Sequence, residues 1–155
     1  MIAPSDYKEL LKTLKKRGVK YLVVGAYAVT HYTEPRYTKD LDIWVEPEAG
    51  NVIRLYEALK EFGAPLKNIT PKDFTNKNLV YQIGVEPIRV DILMGLSGIE
   101  FSEAWEHREL ADFEGIKTNI IGINELIRSK KQTKRPLDSV DIENLRYRLK
   151  LRKSK

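Results

Sequence analysis

The sequence Lys39-Asp40-Leu41-Asp42-Ile43 places two aspartates a single residue apart. In an extended strand successive side chains alternate, so both carboxylates leave one face while Leu41 and Ile43 leave the other. Two like charges this close raise each other's pKa and are unfavourable unless a cation neutralises them. Hard carboxylate oxygens suit Mg²⁺ or Mn²⁺, so the chemistry to expect is divalent-metal chemistry. An Asp-x-Asp pair by itself is common on exposed strand edges, and context has to separate the two readings.

Two further segments supply that context. In Ile88-Arg89-Val90-Asp91-Ile92, Val90 and Ile92 suit a core face, which leaves Asp91 as a single acid able to complete a three-carboxylate site. Gly25 ends the apolar run Tyr21-Leu22-Val23-Val24 and opens a short helical stretch from Ala26 to Val29. A missing Cβ at such a junction lets a phosphate approach the N–H groups of the helix. The chain has neither a Gly-x-Gly-x-x-Gly nor a Walker A sequence, so the dinucleotide and P-loop routes to phosphate are unsupported.

The elements that must position these residues follow from periodicity. Ser5 is the expected N-cap of a first helix in which Tyr7, Leu10, Leu11 and Leu14 repeat at helical spacing up to Gly18. Strands are expected at 21–24 and 41–45, with a helix over 48–62 that shows Val52, Tyr56 and Leu59 on one face. The runs 79–83 and 88–93 flank a Gly-containing, Pro-containing turn and read as a hairpin, which makes the sheet mixed. A short helix at 101–107, a strand pair at 109–113 and 117–121, and a helix at 124–131 come next. Pro136 opens a last helix, to about residue 152, in which Val140, Leu145 and Leu149 are expected to face the core while Arg146, Arg148 and Arg152 stay in water.

Composition bounds the rest. A chain of 155 residues, 42% hydrophobic and 32% charged, is expected to fold as one domain over 1–155 around a single core. With zero cysteines it has neither disulfides nor a thiolate zinc site, so a metal must be held by oxygen or imidazole. No run of apolar residues is long enough for a membrane span and residues 1–7 lack the pattern of a signal peptide, which predicts a cytoplasmic protein. From Arg128 to Lys155 eleven Lys or Arg oppose three Asp or Glu, so that the tail is +8 in a protein of +5. That segment reads equally as a solvated helix face or as a surface for an anion.

Val24-Gly25-Ala26, the stretch from Arg36 through Asp40-Leu41-Asp42-Ile43, and Arg89-Val90-Asp91-Ile92-Leu93 together resemble the nucleotidyltransferase superfamily. The likeness extends over 51–63, 81–84 and from Leu126 to Asp141, and is closer to the small stand-alone prokaryotic members related to toxins of abortive-infection systems. It implies an α/β (α+β) nucleotidyltransferase fold, a mixed β-sheet flanked by helices. It also implies Mg²⁺ or Mn²⁺ at Asp40, Asp42 and Asp91, with Asp91 helping to activate the attacking hydroxyl. The reaction implied is transfer of a nucleoside monophosphate from a nucleoside triphosphate to a hydroxyl on RNA, protein or a small molecule, with pyrophosphate leaving.

Gly25, Ala26, Arg36, Thr38, Lys130 and Arg135 are the candidate nucleotide contacts. Arg36 and Thr38 either orient phosphates or brace the loop before the aspartates, and Lys130 and Arg135 either neutralise phosphate charge or form a solvated helix end. Asp138 is expected to cap the last helix or pair with one of these bases. His31 and His107 lack ligand spacing, and Trp44 and Trp105 read as packing residues. Many active members of the superfamily have Gly-Ser or Gly-Gly where this chain has Gly25-Ala26. That difference favours a second reading, a weakly active or inactive nucleotide-binding module within a toxin–antitoxin pair; the three aspartates oppose it.

Overall fold

Tyr7, Leu10, Leu11 and Leu14, spaced for one helical face, all lie buried in α1 (Pro4–Lys16). A computed structural model of the chain describes residues 4–34, 40–85, 88–133 and 135–154. Ser5, the expected cap, instead sits inside the first turn behind Pro4, a place where proline's missing N–H costs nothing. Strand β1 (Tyr21–Val24) is buried at all four positions, as a short unbroken apolar run covered on both faces should be. Helix α2 (Gly25–Tyr32) and strand β2 (Asp40–Val45) follow.

Helix α3 (Ala49–Phe62) is capped by Glu48, whose carboxylate accepts from the N–H groups of Gly50 at 2.8 Å and Asn51 at 3.0 Å. Strands β3 (Val80–Val85) and β4 (Ile88–Leu93) form the expected antiparallel pair. Helix α4 (Phe101–Glu106) precedes a second antiparallel pair, β5 (Glu109–Phe113) and β6 (Ile116–Ile120), and helices α5 (Ile123–Thr133) and α6 (Pro136–Lys153) close the chain.

The six strands make one mixed sheet in the order β3-β4-β2-β1-β6-β5. β2 runs parallel to β4 and antiparallel to β1, and β1 runs parallel to β6. Leu41, Ile43, Val90 and Ile92 are wholly buried on one face. The opposite face carries Asp40, Asp42 and Trp44 of β2 beside Arg89, Asp91 and Leu93 of β4, and it opens to solvent at Val80 and Gln82 of the edge strand β3. A strip of the sheet with acidic residues and a wet margin is thus backed by solid core.

Two tryptophans pack as expected: Trp44 meets Phe101 edge to face at 5.1 Å, and Trp105 stacks on Phe101 at 5.8 Å. Val140 does not. Asp138, Asp141 and Leu145, spaced three and four apart, set the buried face of α6 and turn Val140 to solvent, while Leu149 packs against the core. Among the described residues no helix is long and apolar enough to cross a membrane.

Asn51 joins the strand ends to α3. Its side-chain oxygen accepts from Lys20 N–H at 2.8 Å, and its amide donates to Lys20 C=O at 3.1 Å and Glu46 C=O at 2.9 Å, all around a residue with no exposed surface. Asn51→Ala strands Lys20 N–H and Glu46 C=O, whereas Lys20 C=O keeps the Glu46 N–H at 3.3 Å, and urea denaturation is expected to show a loss of about 2 kcal/mol with an unchanged slope.

Candidate active site

The register between β2 and β4 sets Asp42 beside Asp91 and Asp40 beside Arg89. Val24 lies opposite Asp42 on the other side, so the chain turns at Gly25 directly over the Asp42 carboxylate. Gly25 has φ +68, and a Cβ there would stand 2.3 Å from Asp42 Oδ2. Only glycine satisfies both the left-handed backbone and the close approach.

Arg89 crosses the site. Its Nε donates to Asp91 Oδ1 at 2.8 Å, and its Nη2 reaches Asp91 Oδ2 and Asp40 Oδ2, each at 3.2 Å. Burial, followed by the charges of Asp91 and Asp40, pushes the Asp42 carboxyl up to about 7, against a weaker opposing pull from Lys130 and Arg89. Positive charge is therefore under-supplied around Asp42, and a hard divalent cation fits the chemistry of this donor set. Among the described residues no three acids or histidines stand close enough together to hold a metal ion as they are, and Arg89 engages two of the carboxylates.

Lys130 is buried, and its ammonium lies 3.3 Å from Asp138 and 3.1 Å from Asp141. It is thus no solvated helix end, yet it is close enough for its charge to act on Asp42. Asp138 serves as expected, accepting from the backbone N–H of Arg135 at the start of α6 and pairing with Lys130. Burial raises the Asp138 pKa, but hydrogen bonds from Thr133, the Arg135 backbone and Lys130 outweigh it and hold the group down at about 2. Arg135 itself is exposed, with its Nε 3.4 Å from Asp138.

The structure therefore gathers Asp40, Asp42, Asp91 and Gly25, with Ala26 next to Gly25 in α2 and Lys130 near enough for its charge to reach Asp42. Arg36 and Thr38 lie outside the described residues. Two participants escaped the sequence reading. Arg89 is two residues before Asp91 on the same strand face, a period-two signal that was available, whereas the burial of Asp141 against Lys130 depends on how α5 and α6 pack.

The six-stranded mixed sheet flanked by helices is the nucleotidyltransferase fold. The chain belongs to the family described as "Nucleotidyl transferase of unknown function (DUF2204)", whose model matches residues 3–155. No curated protein matches the sequence. Among solved structures it resembles the lincomycin-bound lincosamide antibiotic adenylyltransferase LnuA, at 15% identity over 94% of this chain and 97% of that one, with a TM-score of 0.59. It likewise resembles a Thermotoga maritima protein described as a nucleotidyltransferase, at 16% identity, 97% and 96% coverage and a TM-score of 0.60. A third is ANT(2″)-Ia in complex with adenylyl-2″-tobramycin, at 12% identity, 94% and 88% coverage and a TM-score of 0.59. At these identities the likeness is one of fold.

Gly25→Ala is expected to lower stability by roughly 2 kcal/mol, from the left-handed backbone and the contact with Asp42, and to weaken nucleotide binding further than stability alone explains. The raised Asp42 pKa also has a sign. Its folded value of about 7 lies above the ordinary aspartate value of about 4, so the folded state holds the proton more tightly and loses stability as pH rises from about 4 to about 7. With chelator present, Asp42→Asn should match wild type near pH 4 and exceed it by up to about 4 kcal/mol at pH 8, as read by denaturation at each pH.

Proposed function

We propose that this chain transfers a nucleoside monophosphate from a nucleoside triphosphate to a hydroxyl acceptor, with Asp40, Asp42 and Asp91 as ligands for Mg²⁺ or Mn²⁺. The observation that carries the reading is the side-by-side register of Asp42 and Asp91, with Asp40 on the same face and the Gly25 backbone held against Asp42. A bound divalent ion supplies charge neutralisation for the triphosphate and its leaving pyrophosphate.

The chain's own residues divide the remaining work. Gly25 leaves its backbone open to a phosphate at the start of α2. Arg89 gives up Asp40 and Asp91 when the ligands are engaged, and its freed guanidinium is placed to take a phosphate oxygen. Asp91 accepts the proton of the attacking hydroxyl as the new oxygen–phosphorus bond forms and the bond to pyrophosphate breaks. Lys130, held by Asp138 and Asp141, moderates the charge of Asp42. Arg36, Thr38, Ala26 and Arg135 remain candidate nucleotide contacts. The fold shared with LnuA and ANT(2″)-Ia supports adenylyl transfer to a small-molecule hydroxyl ahead of RNA or protein acceptors.

A second reading, a nucleotide-binding module without turnover, draws support from Ala26, which offers no hydroxyl to a phosphate, and from the Arg89 bridge. Incubation with Mg²⁺ or Mn²⁺ and each labelled nucleoside triphosphate, against RNA, protein and small-molecule acceptors, separates the two by release of pyrophosphate. Asp91→Asn should keep nucleotide affinity and lower transfer at least ~100-fold, and Asp40→Asn with Asp42→Asn should abolish the thermal shift given by metal and nucleotide together. A full shift in that double variant would place the metal elsewhere.

A further inference from the structure

The outer face of α6 carries Leu137, Val140, Asn144, Tyr147 and Leu151, spaced three, four, three and four apart. The four apolar members are 56%, 52%, 61% and 40% exposed. They account for half of the eight large hydrophobic residues exposed among the described part of the chain, a concentration on one face of one helix that scattered surface residues do not give. The spacing is that of a helix-pairing seam, with a polar residue at its middle. Asp138, Asp141 and Leu145 hold the opposite side of the helix in the protein, so the stripe faces outward and is fixed there.

We propose that this stripe is the contact surface for a second copy of the chain, with the two α6 helices antiparallel. The flanking charges choose both the occupant and the direction. Glu143 and Lys150 lie seven residues apart on one flank of the stripe, and neither makes an ion pair among the described residues. On the other flank Arg148 is committed to Glu34 at 2.6 Å. In an antiparallel pair Glu143 of each copy faces Lys150 of the other, and two-fold symmetry makes the contact twice. Val140 then meets Leu151 across the axis, and Asn144 meets Tyr147.

A parallel pair would face Glu143 with an arginine already held by Glu34 and would align Arg146, Arg148, Lys150, Arg152 and Lys153 with their own copies. A polyanion such as RNA would satisfy those bases but leave the apolar stripe in water. With one helix of 18 residues on each side the interface is small, which places the dimer in the micromolar range.

Sedimentation of the full chain from about 1 to 200 μM should show a monomer–dimer equilibrium. Val140→Glu with Tyr147→Glu should leave only monomer while the melting temperature holds, since both residues are exposed. Glu143→Lys and Lys150→Glu should each weaken self-association about tenfold, and an equimolar mixture of the two should recover it, because every lysine then meets a glutamate. A wild type that stays monomeric throughout, or a dimer indifferent to the stripe variants, overturns the surface. Failure of the mixture to recover association overturns the antiparallel arrangement. RNA binding lost in the stripe variants, with no dimer in the wild type, would assign the face to nucleic acid instead.

Discussion

The contact between Asp42 and Asp91, neighbours in register on parallel strands, constrains everything around it. Two carboxylates at that separation on a half-covered sheet face need positive charge, and the protein provides it from two directions. Arg89 bridges Asp91 and Asp40 from the same face, and the charge of the buried Lys130 acts on Asp42. Burial first, and then the charges of Asp91 and Asp40, still lift the Asp42 pKa to about 7 against the pull of these two cations. A divalent ion at this face, as proposed, would offset a repulsion that the fold leaves in place.

That arrangement reaches beyond the sheet through Lys130. Its ammonium bonds Asp138 and Asp141, which are the residues that orient α6. A buried ion triad of this kind is seldom worth much net stability against a well-packed apolar core, but removal of one partner is costly. Its consequence here is geometric. The same three charges that bring a cation within reach of Asp42, together with Leu145, anchor the buried face of α6, and Val140, Tyr147 and Leu151 on its other side are exposed. Site electrostatics and the character of the outer surface are two results of one cluster.

The glycine at position 25 shows how little of an active site is side chain. Its φ of +68 and the Asp42 oxygen 2.3 Å from where a Cβ would be demand the absence of one. The neighbouring Ala26 contributes a methyl group at most, so whatever phosphate contact this turn makes is a backbone contact.

Local pattern by itself determined most of the elements and the three acids. Period-two alternation in 40–43 and 89–92 put Asp40, Asp42 and Asp91 on a face opposite the core, and 3.6-residue spacing marked the helices, because both signals are written in neighbouring residues. The resemblance of the motifs supplied the fold and its order, which the family match over residues 3–155 bears out. Tertiary structure alone decided that β2 lies between β4 and β1 and that β1 pairs with β6, that Arg89 bridges two of the aspartates, that Lys130 is buried with Asp138 and Asp141, and that Val140 is outside the core. Each of these depends on groups far apart in sequence or on the rotation of a helix about its axis, and a charge or a methyl group carries no local mark of the partner it will meet when the chain closes.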